Sequence, residues 1–286
     1  MSTSSTRHAG PAAPSRSHAS TPPHTAGVVG RHPLLTFALT AIGLTWIVQF
    51  TFLALGWPLF PALVIQIATL LATATWVTHR IEGRAGVRRL YASTLRWRFS
   101  PSWYAVALLM LPLATIAVAA VAGTLTGPTD GWGAEVFQYL FLAVVFGALL
   151  GNMWEELAWN GFLQDRLSST HGLVKGALWT AVPFALIHLP LAFEENGLTG
   201  TGAKDLAVTW AFLLLIAPFF RLLVGLVYSR TGRSTLAVAL LHGSFNASGS
   251  LSLAPSGWEY AAALVLVTTV VALALTRRPG LATEGS

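Results

Sequence analysis

Apolar segments long enough to cross a membrane recur along most of the chain. A transmembrane helix needs about 20 predominantly apolar residues. Windows of this kind lie at roughly residues 34–56, 59–78, 103–124, 135–154, 173–192, 206–228, 235–253 and 258–276. Because lipid offers no partners to backbone N–H and C=O groups, each segment must satisfy them internally as a helix. The sequence therefore predicts an all-α polytopic membrane protein with about eight transmembrane helices.

The composition of the chain agrees with this prediction. Charged residues make up 10% of the chain, compared with roughly 25% of a soluble domain. Cysteine is absent, which excludes a disulfide framework, a thiolate zinc site and a cysteine nucleophile. The net charge of +6 sits in a few short stretches, an arrangement that indicates orientation in a membrane. We therefore expect the lipid bilayer as a partner and no nucleic acid.

The apolar windows also suggest the domain organisation. Residues 1–32 are rich in Ser, Thr, Pro, His and Gly and have no apolar periodicity, so they predict a disordered cytoplasmic tail. Residues 33–278 predict a single transmembrane helical domain. Residues 279–286 predict a short cytoplasmic tail.

Basic residues predict the orientation of the chain. They lie before the first window and after the last one. They also lie in the connections from the second window to the third, from the fourth to the fifth and from the sixth to the seventh. In a protein with eight spans, all of these segments are on the same side of the membrane. The opposite connections are acidic and hold one base, Lys204. By the positive-inside rule, we expect a multi-pass protein of the cell membrane with both termini in the cytoplasm and a site opening toward the cytoplasmic half. Residues 84–99 suit either a short amphipathic helix on the cytoplasmic leaflet or a solvated loop.

Two adjacent carboxylates, Glu155 and Glu156, follow an apolar run that extends from Phe141 to Trp154. A carboxylate at membrane depth costs about 2.5–3.5 kcal/mol on insertion scales, and two neighbours also repel each other. An ionisable residue at this depth is therefore a candidate functional residue. The alternative is a pair at a helix end in the cytoplasmic interface, where carboxylates cost little.

Three windows carry pairs of polar or aromatic residues separated by four positions. The pairs are Glu156 with Asn160, Phe184 with His188, and His242 with Asn246. On an α-helix, residues i and i+4 lie on the same face. Because lipid cannot satisfy polar side chains, we expect the three faces to meet inside the bundle as a buried polar site. The alternatives are a backbone hydrogen bond for His188 and an interhelical hydrogen bond of about 0.6 kcal/mol for Asn246.

This set of side chains suits the hydrolysis of an amide bond. A glutamate beside an imidazole can hold and deprotonate a water molecule. A second imidazole and a carboxamide can donate hydrogen bonds to a developing oxyanion. Two histidines and a glutamate are also a common catalytic zinc set, but the chain has no H-E-x-x-H helix. We therefore expect no cofactor, with zinc as a minor alternative.

Three motifs in the chain occur in a recognisable order. The first reads Glu155-Glu156-Leu157-Ala158-Trp159-Asn160-Gly161-Phe162-Leu163, the second Phe184-Ala185-Leu186-Ile187-His188, and the third His242-Gly243-Ser244-Phe245-Asn246. They resemble the E-E-x-x-x-R, F-x-x-x-H and H-x-x-x-N motifs of the CPBP family. This family comprises the intramembrane type II CAAX prenyl endopeptidases and their bacterial Abi relatives. The resemblance covers about residues 135–250.

The resemblance implies a glutamate-dependent protease that works without a metal. It implies that Glu155 activates water, that Glu156 supports it and that His188 orients the base. It further implies that His242 and Asn246 stabilise the oxyanion.

The first motif departs from the family at Asn160, where the family has arginine. Asn can hydrogen-bond but cannot neutralise a carboxylate. Arg166 and Arg221 are candidate replacements, although neither lies at the motif spacing. We expect Asn160, Phe184 and Trp159 to line or support the substrate pocket.

The resulting functional hypothesis is an intramembrane endopeptidase of the CPBP or CAAX type. Its expected substrate is a membrane-associated peptide or protein, prenylated or not. The alternative is a catalytically degenerate relative that acts as a membrane scaffold or bacteriocin-immunity factor, which the Asn160 departure favours. A small-molecule transporter is disfavoured because the chain shows no internal repeat.

Overall fold

The computed structural model describes residues 27–276. Most of the predicted tail, residues 1–26, lies outside the described residues, as does the predicted C-terminal tail of residues 279–286. Residues 27–32, at the end of the first tail, include a single helical turn, Val28–Arg31.

Eight helices of at least 14 residues make up the bundle within residues 27–276. They are α1 (Pro33–Ala54), α2 (Phe60–Ala92), α3 (Pro101–Ala122), α4 (Trp132–His171), α5 (Leu173–His188), α6 (Ala203–Arg230), α7 (Thr235–Ser248) and α8 (Glu259–Thr276). A 3₁₀ turn, Leu189–Phe193, extends α5. Each helix overlaps one of the predicted windows, so the all-α membrane fold class is confirmed.

Six of these helices, α1 to α6, are long and apolar enough to cross a membrane. The other two are shorter: α7 has 14 residues, and the apolar part of α8 is Glu259–Ala274. The predicted seventh window, residues 235–253, loses its last turn because the helix ends at Ser248. Large apolar side chains such as Leu39 and Val121 are exposed on the outer surface, as expected where helices face lipid.

Helix α4 is twice as long as its predicted window. The apolar run ends near Trp154, but the helix continues for 40 residues in all, from Trp132 to His171. Glu155 and Glu156 therefore lie inside the helix and are both buried, at 6% and 0% exposure. The alternative of an interfacial pair at a helix end is wrong.

The winding of α4 changes around the two glutamates. One α-helical turn, Met153–Glu156, lies between two π-helical stretches, Phe141–Asn152 and Leu157–Gln164. π-helical windings are rare and occur frequently at functional sites. In these stretches the backbone bonds residue i to residue i+5.

Helix α2 bends at Gly83, where φ is 65°, a value that glycine adopts without steric cost. Beyond the bend the chain stays helical to Ala92 and then forms a 3₁₀ turn, Ser93–Leu95. The first part of the segment at residues 84–99 is therefore a helix and not a loop.

Contacts of the connections and of nearby helix residues define two ends of the bundle. At the first end, Arg166 pairs with Glu82 and Arg233 with Asp165 at 3.2 Å. We call this the arginine end. At the other end, the backbone N–H of Ser252 donates to Glu135 at 2.9 Å. We call this the acidic end.

Helices α4 and α7 approach each other closely through glycine. A Cβ atom on Gly243 would lie 2.1 Å from the carbonyl oxygen of Ala143, and one on Gly147 would lie 2.8 Å from Cα of Gly243. Small residues permit this kind of contact between membrane helices. The contact brings His242, which precedes Gly243, against the helix that carries the glutamates.

We expect Gly243→Ala to destabilise the protein because the added methyl group forces the two backbones apart. Overpacking of this kind costs about 1–3 kcal/mol. The measurement is thermal unfolding of the purified protein in detergent. Gly43→Ala in α1 is the matched control, since its Cβ would meet nothing within 4 Å. Equal unfolding temperatures for the two variants would contradict the close contact.

Candidate active site

A cavity of about 640 Å³ opens among helices α2, α4, α5 and α7. Glu155, His188, His242 and Asn246 all line it. The structure thus brings together four of the residues that the motifs single out, from three separate helices. Glu156, Asn160, Phe184 and Trp159 do not line this cavity.

The carboxylate of Glu155 faces the imidazole of His188. Its Oε1 lies 3.7 Å from Nε2, which is too long for a direct hydrogen bond. Oε1 has no hydrogen-bond partner among the described residues. At such a distance between two polar groups, a bridging water is the expected link.

The second nitrogen of His188 fixes the tautomer of the ring. Nδ1 lies 2.6 Å from the backbone oxygen of Phe184. A carbonyl oxygen accepts hydrogen bonds and cannot donate them, so Nδ1 must carry the proton. In the neutral ring, Nε2 is then an acceptor directed at Glu155. The backbone hydrogen bond proposed as an alternative role for His188 thus exists, and it orients the ring toward the cavity.

Glu156 points away from the cavity and into the protein. Its carboxylate accepts two hydrogen bonds from Nη1 of Arg221, at 2.8 and 3.1 Å, and both side chains are fully buried. Nε of Arg221 donates to Oε1 of Gln164 at 2.8 Å, and Nε2 of Gln164 donates to the backbone oxygen of Arg221 at 2.7 Å. These additional hydrogen bonds stabilise the buried ion pair, although Nη2 of Arg221 has no hydrogen-bond partner among the described residues.

Glu156 also contacts the third motif. Nδ1 of His242 lies 2.9 Å from Oε1 of Glu156. Because an ionised carboxylate only accepts, Nδ1 carries the proton and Nε2 is left for the cavity side of the ring. Arg221, Glu156 and His242 thus form a hydrogen-bonded chain that links α6, α4 and the cavity wall.

Asn160 lies away from the cavity. It is 1% exposed, and neither atom of its carboxamide has a hydrogen-bond partner among the described residues. Like Glu156, it does not line the cavity. Arg221, from α6, provides the cation that Asn160 cannot.

Two aromatic residues of the motifs lie behind the site. The ring of Phe184 lies 5.6 Å from that of Trp159 and 6.2 Å from the imidazole of His242, and the guanidinium of Arg221 lies 5.1 Å from its centre. Trp159 is fully buried and also contacts Phe37. Both residues support the site as packing residues and do not line the pocket.

The sequence analysis missed a polar residue of the cavity wall, Asn152. This residue is 7% exposed, lines the cavity, and its Nδ2 has no hydrogen-bond partner within residues 27–276. It precedes Glu155 by three positions, a spacing that places two side chains on one face of an α-helix. The signal was therefore present on the N-terminal side of the first motif.

The remaining cavity wall is largely apolar. Its side chains come from the start of α2 and from the first π-helical stretch of α4, and they include Phe60, Val64, Ile67, Phe146 and Leu150. The rings of Phe60 and Phe146 stack at 6.3 Å. Such a wall suits the apolar parts of a membrane peptide.

The cavity lies toward the acidic end. Its lining includes Phe60, the first residue of α2, Leu191, beyond the end of α5, and Ser250, beyond the end of α7. The arginine-rich connections lie at the opposite ends of the same helices. The sequence predicts both cytoplasmic termini, from the arginine-rich connections, and a cavity in the cytoplasmic half. Because the cavity lies at the end opposite those connections, the two predictions are incompatible.

A zinc site would need three suitably placed protein ligands. Within residues 27–276, no group of three or more His, Asp or Glu side chains has an arrangement that could hold a metal ion.

Comparisons with known proteins agree with the motifs. Residues 136–248 match the family model described as type II CAAX prenyl endopeptidase Rce1-like. A stretch of 64 residues is 36% identical to CAAX prenyl protease 2 of Methanococcus maripaludis, which is 22% of this chain and 24% of that protein. The chain thus matches about a quarter of the length of this relative. The resemblance of the three motifs is confirmed over residues 136–248, the part of the chain that matches this model of the CAAX prenyl endopeptidases.

Proposed function

We propose that the protein is an intramembrane endopeptidase that hydrolyses a peptide bond with a water molecule activated by Glu155. The observation that carries this proposal is the pairing of Glu155 and His188 across 3.7 Å on a cavity wall that His242 and Asn246 share. The family match supports the reaction class. A membrane-associated peptide, prenylated or not, is the proposed substrate.

The first step uses Glu155 and His188 as two hydrogen-bond acceptors. A water between them donates one hydrogen to each, which leaves an oxygen lone pair free to attack the scissile carbonyl carbon. As the C–O bond forms, Glu155 takes a proton from the water. The same proton then passes to the leaving amine when the C–N bond breaks, as in general acid–base catalysis.

The second half of the site stabilises the oxyanion. The carboxamide of Asn246 can donate to it directly, and Asn152 offers a further unpartnered N–H group. Nε2 of His242 can donate only when the ring carries both protons.

The degenerate-relative hypothesis remains the second candidate. The observation that favours it is Asn160, which has lost the charge of the family's arginine and has no hydrogen-bond partner among the described residues. The Arg221–Glu156 pair opposes it, because a cation still neutralises the buried carboxylate.

We expect Glu155→Gln to abolish most cleavage while the protein stays folded. The substitution keeps the shape of the side chain but removes the proton acceptor, and general bases typically contribute about 10²–10⁴-fold in rate. The measurement is cleavage of a library of prenylated and unmodified membrane peptides by purified protein. Glu194→Gln, in an exposed connection, is the control. Full activity of Glu155→Gln would rule out the glutamate mechanism, and a wild type inactive on every peptide would favour the degenerate relative.

We expect Arg221→Met to destabilise the protein by about 3–5 kcal/mol, since it leaves Glu156 as an uncompensated buried charge. Adding Glu156→Gln should recover much of this loss because it removes that charge. The measurement is the free energy of unfolding of both single variants and the double variant. If the losses of the two single variants simply add in the double variant, the two side chains do not interact.

We expect hydrolysis to survive treatment with 1,10-phenanthroline, since the proposed mechanism uses protein groups alone. The measurement is the cleavage rate before and after removal of the chelator. Loss of activity that added zinc restores would instead establish the zinc alternative, with the metal activating the water.

A further inference from the structure

The distribution of basic residues along the described chain is strongly one-sided. In residues 27–276, a single base, Lys204, lies in the connections of the acidic end, and one, Arg221, lies in the core. The others lie at or near the arginine end: Arg31, Arg80, Arg84, Arg88, Arg89, Arg96, Arg98, Arg166, Lys175, Arg230 and Arg233. Lys and Arg near the ends of spans set orientation, so this bias places the arginine end in the cytoplasm.

The fold shows that these residues share one end of the bundle. Nη1 of Arg96, after α2, donates to the backbone oxygen of Gly232, before α7, at 2.8 Å. Arg233 reaches Asp165 in α4, and Arg166 reaches Glu82 in α2. Connections that are distant in sequence are thus joined at the arginine end.

Equivalent contacts join the connections of the acidic end. The backbone N–H of Thr126, after α3, donates to the backbone oxygen of Leu253 at 3.1 Å. The hydroxyl of Thr124 donates to Glu259, at the start of α8, at 2.8 Å. The cavity opens among helix ends on this side, as Phe60, Leu191 and Ser250 show.

We infer that the cavity faces the non-cytoplasmic side of the membrane and that its substrate is a peptide presented from that side. Glu155 precedes Arg166 by 11 residues on α4, so roughly 15 Å of helix separates it from the arginine end. The assignment of a substrate rests on the proposed function, whereas the side on which the cavity opens does not. The substrate class is the membrane-proximal segment of an exported peptide or protein, in place of a cytoplasmic protein tail.

The absence of cysteine makes the side directly measurable. Three single variants of the full chain each carry one thiol in place of an exposed serine. They are Ser250→Cys at the cavity, Ser256→Cys in the same connection and Ser100→Cys before α3. Intact cells that express each variant are treated with a charged, membrane-impermeant maleimide, before or after lysis.

We expect Ser250→Cys and Ser256→Cys to label fully in intact cells and Ser100→Cys to label only after lysis. The reverse pattern, or labelling of the first two variants only after lysis, overturns the inference.

A second readout separates this inference from the proposed function. One reporter peptide with a membrane anchor is exported, and the same reporter is retained in the cytoplasm. We expect the wild type to cleave the exported reporter and Glu155→Gln to leave it intact. Cleavage of the cytoplasmic reporter alone overturns the inference. If neither reporter is cleaved while the labelling is as expected, the proposed function fails and the orientation stands.

Discussion

The ion pair between Glu156 and Arg221 is the interaction on which the rest of the site depends. Both side chains have no exposed surface, so each has lost the solvation of water. Gln164 and His242 extend the network, and the ring of Phe184 lies under the guanidinium. One pair of charges thereby fixes α4, α6 and α7 relative to each other. A bundle of mostly apolar helices has few other features that define a single arrangement.

The environments of the two adjacent glutamates differ sharply. Glu156 points inward to a cation and is fully satisfied, whereas Glu155 borders the cavity with an unpartnered oxygen and an imidazole nearby. Two identical carboxylates can carry two roles when their surroundings differ in this way. The short α-helical turn between two π-helical stretches holds this divergence in place.

The departure of the first motif at Asn160 illustrates how a site can keep its charge balance while its motif changes. Arginine in the motif would come from the same helix as the glutamates. Here the guanidinium comes from α6, 65 residues further along the chain than Glu156. Two arginine side chains beside one buried carboxylate would leave an excess positive charge in an apolar interior. The presence of Arg221 therefore gives a physical reason for a neutral residue at position 160.

Periodicity and charge placement were sufficient to predict the helices, the approximate spans and the grouping of basic connections on one side. These are local properties, because each membrane helix must satisfy its own backbone. The motif spacing also identified Glu155, His188, His242 and Asn246 as residues of one cavity. In α7 the i, i+4 spacing of His242 and Asn246 brings both side chains to the cavity wall, whereas in α5 His188 lines the cavity and Phe184 packs behind it.

Only the tertiary structure decided which partner neutralises Glu156, where Asn160 points and toward which end the cavity opens. The pairing of Arg221 with Glu156 depends on how two distant helices pack, and no local pattern encodes that contact. The π-helical winding on both sides of the two glutamates is likewise invisible in the composition of the segment. The sequence thus determined which residues occupy each helix, and the packing of the helices determined which side chains meet.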